Sequence, residues 1–437
     1  MKTALDNFFD LTGLKTNVKR EILAGFTTFI SMAYILFVNP EILGASGMDK
    51  GAVFTATALA SAIGCLLMGL LAKYPIATAP SLGINAFFAY SVCIGMNIPW
   101  QTTLAGVFVA SIIFLLITVF KLRELIIDAI PADLKAAISA GIGLFIAFIG
   151  LQGGGLIVAN KSTLVGLGSF SGSTWVTVFG LIVVSILMVM RVPGAIFIGM
   201  VLSAIFGIAT GNIQMPHAFV APAPSMDQTF LVALSHLKDI NTLQMWVVVI
   251  TFLLVTFFDT AGTLIALAQQ AGFLQNNKMP RVGKALMSDS TAMLFGSLFG
   301  TSPVGAYVES SAGIAVGGRS GLTAVTTGIC FILGLFFSPL LTVVTSQVTA
   351  PALIIVGVLM AQSMARITWT KLEIAIPAFL TVAGMPLTYS ISDGLALGFI
   401  AYPITMIAAR KGKEVPALMY VLFFVFVIFF WVLNIEK

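Results

Sequence analysis

Apolar residues run along this chain in stretches of about twenty, parted by short polar breaks, the length a helix needs to cross a hydrocarbon core of about 30 Å. The pattern predicts spans at 21–40, 52–72, 78–96, 100–120, 132–152, 174–191 and 193–210. A polar stretch follows to about residue 242, and then a second set at 244–270, 283–299, 301–318, 322–344, 350–366, 372–388 and 391–409. One more apolar segment, 416–434, has no counterpart in the first set and reads as either an extra crossing or an interfacial helix. The residue-by-residue alternation of membrane β-strands is absent. The expected fold is an all-α polytopic membrane protein of fourteen spans.

The two sets match one another. The broken stretches "TAPSLGINAFFAY" and "GTSPVGAYVES" place their prolines at Pro80 and Pro303, 223 positions apart, the same offset that separates the first spans at 21 and 244. Pro131 and Pro351, each opening the fifth span of its set, are 220 apart. Because seven is odd, the second repeat must enter the membrane from the opposite side. The chain therefore divides into a first repeat at 1–212, an external loop at 213–242, an inverted second repeat at 243–412 and a C-terminal segment at 413–437. Short Gly/Pro-interrupted segments at equivalent places in inverted halves mark the substrate site of secondary transporters.

Composition agrees: 59% of residues are hydrophobic and 9% charged, against roughly a quarter charged in soluble domains. The net charge of +5 gathers in short loops at alternate span ends: Lys15, Lys19, Arg20, Lys73, Lys121, Arg123, Arg191, Lys278, Arg281, Lys284, Arg319, Arg366, Lys371, Arg410, Lys411 and Lys413. By the positive-inside rule these loops and the N-terminus are cytoplasmic. The charge is a topology signal and implies no nucleic-acid partner. Cys65, Cys93 and Cys330 fall in apolar spans without metal-type spacing, and neither metal nor cofactor is expected. The polar, amphipathic opening residues do not form a cleavable leader.

An unpaired charge inside a membrane costs at least about 2.5–3.5 kcal/mol, so intramembrane acids are candidates for function. Two lie deep in the expected spans, Asp259 and Glu309, whereas Asp133, Asp289 and Asp393 fall nearer span ends, where hydration or capping accounts for them. Gly300, Ser302, Pro303, Gly305 and Gly313 prevent a continuous helix around Glu309, and the backbone groups they free must line a protein-enclosed cavity. A half-helix starting after the break would turn its positive end inward. The matching stretch offers Gly83, the amide of Asn85 and the rings of Phe87 and Phe88 from the other side, although each Phe, in a chain so rich in Phe, reads as a packing residue before a stacking one. A carboxylate, an amide and an aromatic face suit a flat heterocycle with a mixed donor and acceptor edge better than an inorganic anion.

The stretches "GFTTFISMAYILFVNPEIL" (25–43), "APSLGINAFFAY" (79–90), "FFDTAGTL" (257–264), "FGTSPVGAYVESSAGIAVGGRSGLTAV" (299–325) and "IPAFLTVAGMPLTYSISDGLALGFI" (376–400) resemble nucleobase:cation symporter family 2, in its AzgA-like branch of adenine, guanine and hypoxanthine permeases. The resemblance runs through essentially the whole chain. It implies core and gate domains, with the third and tenth spans as half-helices with short extended stretches. It also implies that Asp259 and Glu309 bind substrate or couple a proton, and that Gly83 and Asn85 approach the base from the facing half-helix. Thr263 lies one turn after Asp259, where related uracil carriers use a histidine; Thr256, one turn before, stands where some members carry a second acid. Phe87, Val308 and Thr28 complete the candidate binding set.

The resulting expectation is proton-coupled uptake of purine bases by alternating access across a bacterial plasma membrane, with the base, the proton and the bilayer as partners. A homodimer is admitted by resemblance alone. Glu309 is the first choice for holding the base and Asp259 for the proton, with exchanged roles open. A carrier of uracil, xanthine or an anion on the same fold is the alternative, followed by a channel. The absence of His, Cys or acids clustered at catalytic spacing argues against an enzyme.

Overall fold

In the computed structural model, residues 4–120, 130–273 and 279–435 are described; the topology signals Lys121, Arg123 and Lys278 lie outside them. After a short helix α1 (Ala4–Phe9), the first span is two helices, α2 (Val18–Met32) and α3 (Ile35–Gly44), and not the single run expected over 21–40. The sequence carries the reason just upstream of the break. Ser31 Oγ donates to Thr27 O at 2.9 Å and Thr27 Oγ1 to Leu23 O at 2.8 Å, back-bonds that loosen and bend a helix. Helix α4 (Lys50–Leu67) returns across the membrane. The third span is the strand β1 (Thr78–Pro80), the short helix α5 (Leu82–Ala86) and a π-helical stretch Phe87–Gly95, and the fourth is α6 (Trp100–Val119).

Helices α7 (Ala132–Gly153), α8 (Gly172–Val189) and α9 (Ala195–Ala209) finish the first repeat. Between α7 and α8 an exposed hairpin, β2 (Ile157–Asn160) with β3 (Leu164–Leu167), replaces the loop expected there. The second repeat runs through α11 (Leu243–Gln270), α12 (Val282–Phe299), β4 (Val304–Ala306), α13 (Ser310–Ala315), α14 (Gly321–Gly334), α15 (Ser346–Ala361), α16 (Leu372–Thr388) and α17 (Ile391–Ala408). The segment joining the repeats is not a free polar loop. It holds a short helix α10 (Val232–Ser235). Ala221 N donates to Phe336 O, Leu231 N donates to Leu298 O, and the Phe230 ring stacks on Phe299.

Two bodies separate by packing. Helices α2, α4, α6, α12 and α14 pack on one another, with α3 on α4 and α11 on α6, to form the core. Helices α7, α8, α9, α15, α16 and α17 form the gate. Fourteen spans in two inverted sevens result. Among the described residues nine helices are long and apolar enough to cross a membrane by themselves. Span nine, α12, is not one of them, because Ser288, Asp289, Ser290 and Thr291 interrupt it. The C-terminal segment is a helix, α18 (Ala417–Ile435), lying along α17 and reaching α11; its buried Phe426 stacks on Phe399 at 5.5 Å between centroids.

Glu21, in the first turn of α2, is fully buried, so acids inside the protein are not confined to Asp259 and Glu309. It accepts from Arg319 N at 2.9 Å, Ser320 N at 3.1 Å, Ser320 Oγ at 2.8 Å and Thr323 Oγ1 at 2.6 Å. The "GGRSGLT" turn at the start of α14 is thereby clamped to the first span. Arg319 in turn donates through one nitrogen to the Ile314 and Gly318 carbonyls, closing the end of α13. Glu21→Ala strands four donors and is expected to cost about 3 kcal/mol, read as a lower thermal midpoint of the detergent-purified protein, while Glu414→Ala at an exposed position leaves the midpoint unchanged.

Candidate functional site

The interruptions in spans three and ten answer one another. β1 and β4 pair antiparallel, with Thr78 opposite Ala306, Ala79 opposite Gly305 and Pro80 opposite Val304. The pairing is extended at both ends, by Ser81 N on Pro303 O at 3.1 Å and Tyr307 N on Ala77 O at 3.0 Å. Proline has no N–H to donate, so Pro80 and Pro303 can take part only through carbonyls. Pro303 O accepts from Ser81 N, and Pro80 O accepts the Tyr307 hydroxyl at 2.9 Å. Ser310 Oγ accepts from Ala77 N at 2.9 Å. The backbone released by the breaks is therefore satisfied inside the core.

Around this crossing the acids converge. Asp259, mid-way along α11, accepts the Ser81 hydroxyl at 2.6 Å. Glu309, immediately before α13, accepts the Tyr34 hydroxyl at 2.5 Å. Both carboxylates are half-buried, and Tyr307 interacts electrostatically with each. The Glu309 carboxylate does not cap its own helix, and at six residues α13 is too short for the helix end to be a main source of field. Asn85 accepts from Ser302 Oγ, which ties α5 to the other break, and its amide nitrogen is buried without a partner among the described residues.

The remaining candidates distribute as follows. Gly83 faces the gate: a Cβ there would lie 2.5 Å from Ile142 Cγ2 on α7. Phe87 is fully buried and edge-on to Phe252 at 4.9 Å, a packing position. Thr263 is half-buried on α11, and Val308 is half exposed beside Glu309. Thr28 lies behind the site, where a Cβ on Gly313 would meet its Oγ1 at 2.1 Å and Ala24 O at 2.6 Å. Thr256 Oγ1 is buried one turn before Asp259.

Residues not anticipated from sequence are Tyr34, Tyr307, Ser81, Ser302 and Asp289. Asp289 is fully buried on α12 and not hydrated at a span end; Gly305, with no side chain, leaves room between its carboxylate and Thr260. The polar run "SDST" within an apolar span was its signal. Outside the crossing, a cavity of about 340 Å³ opens where core meets gate, lined by Glu41, Tyr90, Ile149, Gly150, Ser346 and Thr349 among others. Tyr90 of the core also meets Tyr389 of the gate edge-on at 6.0 Å, and Tyr389 packs against Phe145 at 5.5 Å.

The sequence profile described as "Permease family" matches residues 19–397. The chain belongs to that permease family. The permease is 55% identical over 436 residues to the guanine/hypoxanthine permease PbuG of Bacillus subtilis, covering 98% of this chain and 99% of that one. It is 40% identical over 433 residues to the adenine permease AdeP of Escherichia coli, covering 97% and 96%. Among solved structures, the transmembrane domain of the cyanobacterial bicarbonate transporter BicA matches with a TM-score of 0.61 at 15% identity, over 90% of the permease and 97% of that chain. The anion transporter Slc26a9 from mouse, in an inward-facing state, matches with 0.61 at 11%, over 94% and 72%. These two likenesses are of fold.

Because Gly313 holds α13 against α2, adding a methyl group there must push Glu309 out of register with the crossing. Gly313→Ala is expected to destabilise the permease by about 1–3 kcal/mol, whereas Gly283→Ala, a helical position with open space around it, costs no stability; thermal unfolding of the two purified variants makes the comparison.

Proposed function

We propose that the permease takes up purine bases, guanine and hypoxanthine first among them, together with protons, by alternating access across a bacterial cell membrane with its N-terminus in the cytoplasm. The observation that carries this reading is the pair of half-buried carboxylates at the strand crossing, each holding a single hydroxyl donor. A carboxylate with a free oxygen accepts the N–H edge of a heterocycle, and the Asn85 amide supplies a donor for a ring nitrogen or carbonyl. The names of relatives that match over nearly the whole chain point to the same class of substrate.

In this mechanism Glu309 grips the N–H edge of the base and Asp259 carries the proton. A bare carboxylate in a low-dielectric site is costly to move, so the core would cross the gate readily only when both acids are neutralised or paired. The repeats 1–212 and 243–412 supply the two half-sites. The related anion transporters lend the fold a second reading, an anion substrate, but two acids at the crossing would repel one.

The test is uptake of labelled hypoxanthine into cells lacking purine carriers, with adenine, guanine, xanthine, uracil and bicarbonate as competitors, with and without a protonophore. Saturable uptake blocked by purines and lost with the protonophore is expected; competition by bicarbonate alone would overturn the reading. Glu309→Gln should lower uptake at least a hundredfold with normal membrane insertion, and Asp259→Asn should abolish the response to the proton gradient. Normal uptake by the Glu309 variant would remove Glu309 from the site.

A further inference from the structure

Tyr34 is buried, 1% exposed, at the turn between α2 and α3. Its ring is set in the hydrophobic core while its hydroxyl reaches 2.5 Å from Glu309 Oε1. A buried phenol needs an acceptor and a carboxylate in this setting needs a donor, so each satisfies the other. Tyr34 lies two residues past the end of α2, in the turn that leads into α3. Tyr307, the neighbouring phenol, is bonded to Pro80 O and so leaves Glu309 to Tyr34.

On the reading of the site given above, the base must bring its N–H edge to the same carboxylate. We propose that Tyr34 is an internal surrogate for the substrate, a specificity-determining residue whose hydroxyl occupies one oxygen of Glu309 until a ligand with two adjacent N–H donors displaces it. Hypoxanthine offers one ring N–H beside its carbonyl and can take the free oxygen while Tyr34 stays on Oε1. Guanine offers a ring N–H and an adjacent amino group, needs both oxygens at once, and so competes with the phenol for Oε1. Tyr34 therefore penalises guanine relative to hypoxanthine, and its removal relaxes the preference.

The experiment is the Kd of guanine and of hypoxanthine for the purified full-length wild type, Tyr34→Phe and Tyr34→Leu, by scintillation proximity. Loss of the hydroxyl competitor, a charge-assisted bond, should tighten guanine binding about tenfold and leave hypoxanthine within about twofold in both variants. Weaker guanine binding, or equal changes for the two bases, overturns the surrogate role. Wild-type protein that binds neither base, but binds another ligand, overturns the purine reading itself. A further measurement needs no variant. Infrared difference spectra of wild-type protein with ring-labelled tyrosine should show a shifted phenol C–O band with guanine and none with hypoxanthine, and an unshifted band with both refutes the proposal.

Discussion

The constraint on which this structure depends is that hydrocarbon offers no hydrogen bonds to a backbone that leaves its helix. Two spans are broken at mid-membrane, and each break alone would strand amides and carbonyls at several kcal/mol apiece. The two interruptions solve the problem jointly, because β1 and β4 pair strand to strand and extend the ladder through Ser81 and Tyr307. Neither half-site can exist without the other. The site is therefore a product of the inverted repeat, and the polar residues flanking the strands are the ones that become its chemistry.

Clamping follows from the same logic. A six-residue helix such as α13 has little stability of its own, yet it must hold Glu309 in place. Arg319 closes the Ile314 carbonyl at its end, Gly313 allows α2 to approach, and Glu21 fastens the succeeding turn. The long "GGRSGLT" stretch thus has a mechanical meaning: two glycines to fold back, an arginine to terminate one helix and a serine to begin the next. The same buried glutamate orients both.

Much of this was legible in the sequence. Span count, inversion, the broken third and tenth spans and the acids at 259 and 309 follow from apolar run length, a repeat offset and the placement of proline and glycine. What escaped either carried only a faint local signal or was set by tertiary contacts. The bend at Ala33–Tyr34 comes from hydroxyl back-bonds in a stretch whose apolar pattern is unbroken. Asp289 and Glu21 look like end-of-span residues by position, but neighbouring helices cover them. Phe87 cannot be told from a stacking residue until Phe252 is seen against it.

The C-terminal helix α18 touches both bodies, and not in the same way. Its flat Phe426–Phe399 stack sets it against α17 of the gate, with which it packs more extensively than with α11 of the core. In a displacement of core against gate the smaller α11 contact is the one that would yield. The surface α18 can offer there is almost wholly hydrocarbon, so it can slide without a hydrogen bond to break. The last apolar segment, which repeats nothing in the first half, thus bridges the gate and the helix that carries Asp259.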